Sequence, residues 1–243
     1  FVAYFGAGEV LMYDRSVHAM TFAAKRLALD APDTKARMLP NIAAVSPDVL
    51  LVSHVISELD EEGLDELVLL MQRSKRIIIV EPGNRIVSRK LSKLRDQVLD
   101  SFHITAPCPH QAACPSLTDR ADWCHFFATP PPEVFTDGFW ARVARELSID
   151  LRSLPYAFLS LSNKTYAANV ADCEEEERLL GRAEITKHFA RMRCCSEGDL
   201  SFVDITKRHH AKLWRALKKR PEQIRFALRD RDAPPEEDPL PEQ

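Results

Sequence analysis

Three observations predict an α/β fold with a doubly wound sheet. Short apolar runs recur at EVLMYD (9–14), DVLLVSHV (48–55) and RIIIV (76–80). Each is followed by a stretch with apolar residues at helical spacing, and the intervening breaks are rich in Pro, Gly and Asp. Strand alternating with helix is the rhythm of a sheet whose strands are buried between helices.

Taken in order, EVLMYD is the first strand. Ser16 offers an N-cap to a helix carrying Val17, Met20, Phe22, Ala24, Leu27 and Leu29, which the break DAPDT ends. DVLLVSHV is the second strand, and the acidic stretch 57–65 leads into a helix through Leu67, Leu70 and Met71. RIIIV is the third strand, closed by Glu81-Pro82-Gly83. An amphipathic helix then carries Val87, Leu91, Leu94, Val98 and Leu99. Ligands of such sheets sit beyond the carboxyl ends of the strands, so Asp14, Ser53, His54 and Glu81 are the candidate cofactor-binding residues. A carboxylate at a second strand end can accept from both hydroxyls of a ribose, although Asp14 reads equally as a turn or capping residue. Gly6 and Gly8 lie too close to the first strand to form a glycine-rich cofactor turn. That turn is expected upstream of Phe1, making this sequence an N-terminally truncated piece.

The second half differs in character. APCPHQAACPSLTDRADWCHFF (106–127) places Cys108, Cys114 and Cys124 in a Cys-x5-Cys-x9-Cys pattern among three prolines. Those prolines exclude a helix or a central strand and leave a stiff loop, suited to holding a metal centre. Four thiolates usually hold an iron–sulfur cluster. Zinc sites favour closely spaced cysteine pairs, which are absent here, yet zinc stays open. His110 and His125 are candidate metal ligands, RNA contacts or hydrogen-bond donors to sulfur, the last two favoured once four cysteines are available. Cys173 sits in a polar, acidic segment (163–177), a poor place for a fixed ligand. Cys194 and Cys195 follow a strand and precede a turn, and on a strand only one of the two can face a cluster. Around them, Phe139–Leu147 reads as a helix, Leu154–Leu161 as a strand, 184–195 as one or two strands, Leu200–Ile205 as a strand and Lys207–Lys219 as a helix.

With 243 residues and 45% hydrophobic content the chain can bury one substantial core and a smaller module. Six cysteines without a secretory leader argue for a reducing compartment rather than secretion. No apolar run approaches the roughly 20 residues needed to cross a bilayer. Charge is uneven: residues 178–231 carry fifteen Lys/Arg against six Asp/Glu, and 232–243 carry five acids and no base. This predicts a basic surface for RNA phosphates, Trp214 and the loop histidines beside it, and a disordered acidic tail. The expected division is 1–105, 106–231 and 232–243.

VSHVISEL, IIIVEPG, APCPHQAACP and DWCHF, in that order, resemble the methyltransferase-like family of small-ribosomal-subunit assembly factors, which has mitochondrial members and bacterial relatives. EVLMYDRSVHAM, LRSLPYAFLSLSNK and CCSEGDL are similar to further segments of it, so the likeness spans most of 9–217. The resemblance implies a class I methyltransferase (Rossmann-like) fold with S-adenosylmethionine at the strand ends. It also implies a 4Fe-4S cluster on Cys108, Cys114, Cys124 and, four residues before Gly198, Cys194. The implied partners are small-subunit ribosomal RNA and ribosomal proteins, in a mitochondrial matrix or a bacterial cytoplasm. Mitochondrial members are not convincingly catalytic, so the fold is expected to serve as a binding platform. No Asp/Asn-Pro-Pro-Tyr motif for base methylation is present, and no catalytic residue is assigned. Two other readings remain: an active S-adenosylmethionine-dependent rRNA methyltransferase, and a zinc-stabilised RNA-binding protein.

Overall fold

The computed structural model describes residues 6–118, 121–166 and 177–219. The acidic tail, Cys173 and the basic residues beyond Lys219 lie outside them. The chain divides into two compact units, Phe1–Ser46 and Pro47–Gln243. In the first, β1 (Glu9–Met12) and β2 (Lys35–Met38) pair in parallel around α1 (Val17–Asp30). Ser16 caps α1 as expected, its Oγ accepting from Ala19 N at 3.1 Å. β2 reads KARM, a four-residue alternation with all four residues exposed, and the sequence reading did not assign it as a strand.

The second unit holds the remaining elements. β3 (Val49–Ser53) and β4 (Arg76–Pro82) are parallel and joined by α2 (Glu61–Gln72), and α3 (Arg85–Gln97) comes after β4. β5 (Phe102–Ala106), β6 (Phe126–Ala128) and β7 (Leu154–Asn163) complete a five-stranded sheet of order β3-β4-β7-β5, with β6 also paired to β7. β7 is antiparallel to β4, β5 and β6. The fold is mixed α/β, with a mixed sheet in place of the all-parallel strands that the first three runs foreshadowed. Asp60 and Asn84 cap α2 and α3 through Gly63 N and Val87 N. Both helices bury Leu67, Met71, Leu91 and Leu94 in one core with the alternate β4 residues Ile77 and Ile79, and with Leu159 and Leu161 of β7. The intervening Ile78 and Val80 are only half-buried. Short helices α4 (Glu133–Thr136) and α5 (Gly138–Leu147) link β6 to β7.

Gly83, just beyond β4, is fixed by close approach. A Cβ there would sit 2.6 Å from Tyr156 N and 2.7 Å from the Pro155 carbonyl carbon, both backbone atoms. Gly83→Ala should therefore force β4 and β7 apart and cost about 1–3 kcal/mol, read as a lowered melting temperature. An unchanged melting temperature would mean that this contact yields freely.

β8 (Glu177–Ile185), β9 (Phe189–Ser196) and β10 (Asp199–Thr206) form a second, antiparallel sheet of order β10-β9-β8. Helix α6 (Ala211–Lys219) covers one face, burying Leu213, Trp214 and Leu217 against Leu179, Ala190, Met192, Cys194 and Ile205. Trp214, expected at an RNA surface, is a core residue 5% exposed. No helix among the described residues is long and apolar enough to cross a membrane.

Candidate metal centre

The cysteine loop leaves β5 at a register shift between Ile104 and Ala106 and is tied down at several points by polar side chains. Gln111 closes its first turn, accepting from Ile104 N at 2.9 Å and donating to Ile104 O at 2.8 Å. Helix α3 holds much of the rest of the loop. Asp96 accepts from Cys114 N at 3.0 and 3.1 Å. Arg89 donates to the carbonyls of Ser116 (2.7 Å), Asp122 (2.8 Å) and Leu117 (3.2 Å). Arg95, 2% exposed, pairs with Asp96 and donates to His110 O at 3.2 Å. Farther on, Trp123 Nε1 donates to Gly83 O at 3.0 Å. Loop backbone that would otherwise lack partners is thus satisfied by a folded helix and strand end.

This bracing brings Cys108, Cys114 and Cys124 to the wall of one cavity of about 40 Å³, and Cys195 of β9 completes the wall. By the same measure a water needs roughly 10–15 Å³, so there is room for several atoms. His110, Ser88, Ser92 and Arg95 also line it. Cys195 Sγ lies 3.6 Å from His110 Nε2. Successive residues of a strand face opposite ways. Cys194, the fourth ligand that the resemblance implies, therefore turns from the cavity into the core beneath α6, and Cys195 takes the place beside the other three thiols. Among the described residues no group of three or more His, Cys, Asp or Glu forms a site for a single metal ion. The thiols surround a space rather than converge on a point.

The electrostatics of this wall favour neutral thiols. Burial pushes the Cys124 thiol well above its ordinary range, and the neighbouring Cys108, Cys114 and Cys195 add to this. Burial, again with the neighbouring thiols, pushes Cys195 up to about 12. Burial raises Cys108 as well, although the Arg95 guanidinium opposes it. Four thiolates cannot share this space unless positive charge enters with them, and a thiophilic metal supplies that charge as it displaces the protons. The donor set fits a group larger than one ion and selective for sulfur.

His125 has a different role from His110. Its ring stacks on Trp123 with centroids 4.9 Å apart, and its carbonyl accepts from Gly181 N at 3.0 Å. A Cβ on Gly181, whose φ is +70°, would lie 3.0 Å from the imidazole, so this glycine lets the loop close on β8.

The strand-end residues are arranged otherwise. Asp14 belongs to the first unit and is exposed, accepting from Ser16 N at 2.6 Å as a turn residue would. Ser53 and His54 are exposed, and His54 adopts a left-handed φ of +57°. Glu81 is wholly buried, and its Oε1 accepts from Val55 N and Ile56 N, each at 2.8 Å. It clamps the turn after β3 through Oε1, while its buried Oε2 has no hydrogen-bond partner among the described residues.

Sequence reading missed the bracing residues Arg89, Arg95 and Asp96. A signal was present in RIVSRKLSKLRDQ, where Ser88, Ser92 and Arg95 share one helical stripe. All three are buried, and buried polar groups at that spacing face polar structure.

The model of the family described as mitochondrial small ribosomal subunit Rsm22 matches residues 3–221. No curated protein matches the chain. Among solved structures, a protein in the NADB-Rossmann superfamily from Streptococcus agalactiae is similar at 12% identity and a TM-score of 0.38, covering 67% of this chain and 55% of that one. A Thermoplasma acidophilum protein is similar at 12% identity and a TM-score of 0.38, covering 65% of this chain and 68% of that one. The family match runs through all three sheets and the cysteine loop, and the chain belongs to the Rsm22 family of the mitochondrial small ribosomal subunit.

Proposed function

We propose that this chain is a ribosomal-RNA-binding factor of the small ribosomal subunit, in a mitochondrion as its family's name indicates, stabilised by a 4Fe-4S cluster. Cys108, Cys114, Cys124 and Cys195 would hold the cluster. The observation that carries this reading is the convergence of four thiols, from a proline-rich loop and a distant strand, on one cavity. When bound, the cluster supplies four metal–thiolate bonds that join the loop to the second sheet. With every iron held by cysteine, its role would be structural.

The chain's own residues do the rest. Arg89, Arg95 and Asp96 hold the loop in a shape that presents its thiols, and His110 stands beside Cys195 as a hydrogen-bond partner of its sulfur. The basic second sheet and α6 then offer phosphate contacts, with affinity that falls as salt rises. A methyl-transfer role would need S-adenosylmethionine at the strand ends, where Glu81 Oε1 accepts from two backbone amides and its Oε2 has no partner among the described residues.

Anaerobically purified protein should be brown and contain iron and sulfide near four each per chain, as the cluster type requires. Colourless protein holding one zinc would overturn the cluster and favour a zinc-stabilised fold. Calorimetry with S-adenosylmethionine separates the readings: no binding rules out the enzyme, binding without methyl transfer to ribosomal RNA favours the platform, and binding accompanied by methylation of ribosomal RNA would restore the enzyme reading.

A further inference from the structure

We infer that the exposed part of the β8–β10 face opposite α6 is a stacking surface for an unpaired RNA segment, with the basic end of the same sheet taking its phosphates. This deepens the RNA-binding reading above and rests on it. The sheet has two unlike faces. One is sealed by α6. On the other, Cys195 and Leu180 belong to the thiol cavity, Asp122 of the cysteine loop reaches Arg193, and Phe202 and Asp204 beyond are exposed.

There Phe202 is 57% exposed, a large aromatic ring left in water on a β-strand. Arg193, directly opposite it on β9, places its guanidinium carbon 3.8 Å from the ring centroid. Arg191 lies 5.7 Å from the same centroid and 5.1 Å from that of Phe189. Phe202, Arg191 and Phe189 thus form a continuous row of flat groups. Carboxylates hold the two guanidinium groups in place: Asp204 accepts from Arg191 at 2.7 and 2.8 Å, and Asp122 from Arg193 at 2.8 Å. Because those charges are compensated, these arginines offer planar faces rather than net charge.

Net charge comes from the next stretch of surface. Phe189 also borders an open hollow of about 480 Å³, lined otherwise by His188, Thr206, Lys207, Arg208 and His209, with no carboxylate among them. Lys207, Arg208, His188 and His209 are exposed. Planar faces leading into a cationic hollow match a strand whose bases are unstacked and whose backbone is anionic. A duplex offers no base faces to such a row, and an acidic peptide would use the hollow but not the rings.

The test is fluorescence anisotropy of the full chain with a labelled, unstructured pyrimidine-rich RNA dodecamer and with the corresponding duplex, across a salt series. Phe202→Ala should weaken single-strand binding about tenfold, within the range seen when one stacking aromatic is removed. It should leave duplex binding, melting temperature and iron content unchanged. Lys207→Ala with Arg208→Ala should weaken binding to both RNAs and lower the single-strand salt slope by about 1.4, at roughly 0.7 per phosphate contact. If the chain binds single-stranded RNA and Phe202→Ala binds it equally well, this surface is wrong and the general RNA reading stands. If neither RNA binds, both fall, and the metal content still reports separately on the cluster.

Discussion

Cys195→Ala should strip most of the iron and sulfide from the protein, whereas Cys194→Ala should keep both. The two residues are neighbours in sequence and opposites in space. Cys195 lines the cavity with Cys108, Cys114 and Cys124, while Cys194 is packed with Met192, Ile205 and Trp214 beneath α6. Loss of one of four cysteine ligands opens a coordination position to water and to oxidation, and the bonds that join the loop to β9 go with it. Cys194→Ala removes one sulfur from an apolar core, at a cost of about 1 kcal/mol. Iron and sulfide analysis of anaerobic preparations, together with visible absorbance, reads the difference. The reverse outcome, with Cys194→Ala colourless and Cys195→Ala brown, would return the fourth ligand to the position that the resemblance implies. Equal retention by both would place the ligand outside β9.

Glu81→Ala should be the most destabilising single change at the strand ends. Its Oε1 accepts from Val55 N and Ile56 N in a wholly buried setting. Truncation leaves the buried Ile56 amide unpaired at about 1–3 kcal/mol, and the part-buried Val55 amide loses its partner as well. For a domain of this size each kcal/mol lowers the melting temperature by about 2–4 °C, so a fall of roughly 10 °C is expected. Glu81→Gln keeps a carbonyl oxygen where Oε1 stands and should cost far less. This pair of variants separates a clamp from a cofactor ligand. A clamp predicts that Ala is damaging and Gln mild in the absence of any added ligand. A ribose-binding carboxylate predicts normal melting for both, with weakened S-adenosylmethionine binding.

The contrast between these sites shows where sequence reading succeeds. β3, β4, α2 and α3 were legible because their apolar residues repeat at strand or helical intervals. β7, β9 and β10 were legible in outline for the same reason. β2 was not, since the alternation in KARM spans only four residues and buries none of them. The antiparallel insertion of β7 between β4 and β5 was equally hidden, because strand order is a property of pairing between distant segments. Trp214 shows the opposite error. A tryptophan among lysines reads as surface, but helical spacing turns it inward with Leu213 and Leu217 while Lys207 and Lys218 lie over its ring.

By itself the sequence determined that Cys108, Cys114 and Cys124 sit in one stiff loop, since three prolines and short separations leave no other local structure. It also limited the fourth thiol to one of two adjacent residues, because a strand offers each face only every second side chain. Only the tertiary structure decided between them. The choice depends on which face of β9 meets α6 and which meets the loop, and that is fixed by the burial of Leu213, Trp214 and Leu217 on one side. Arg89, Arg95 and Asp96 hold the loop against the other side. None of these contacts is local in sequence, so no spacing rule could have revealed them.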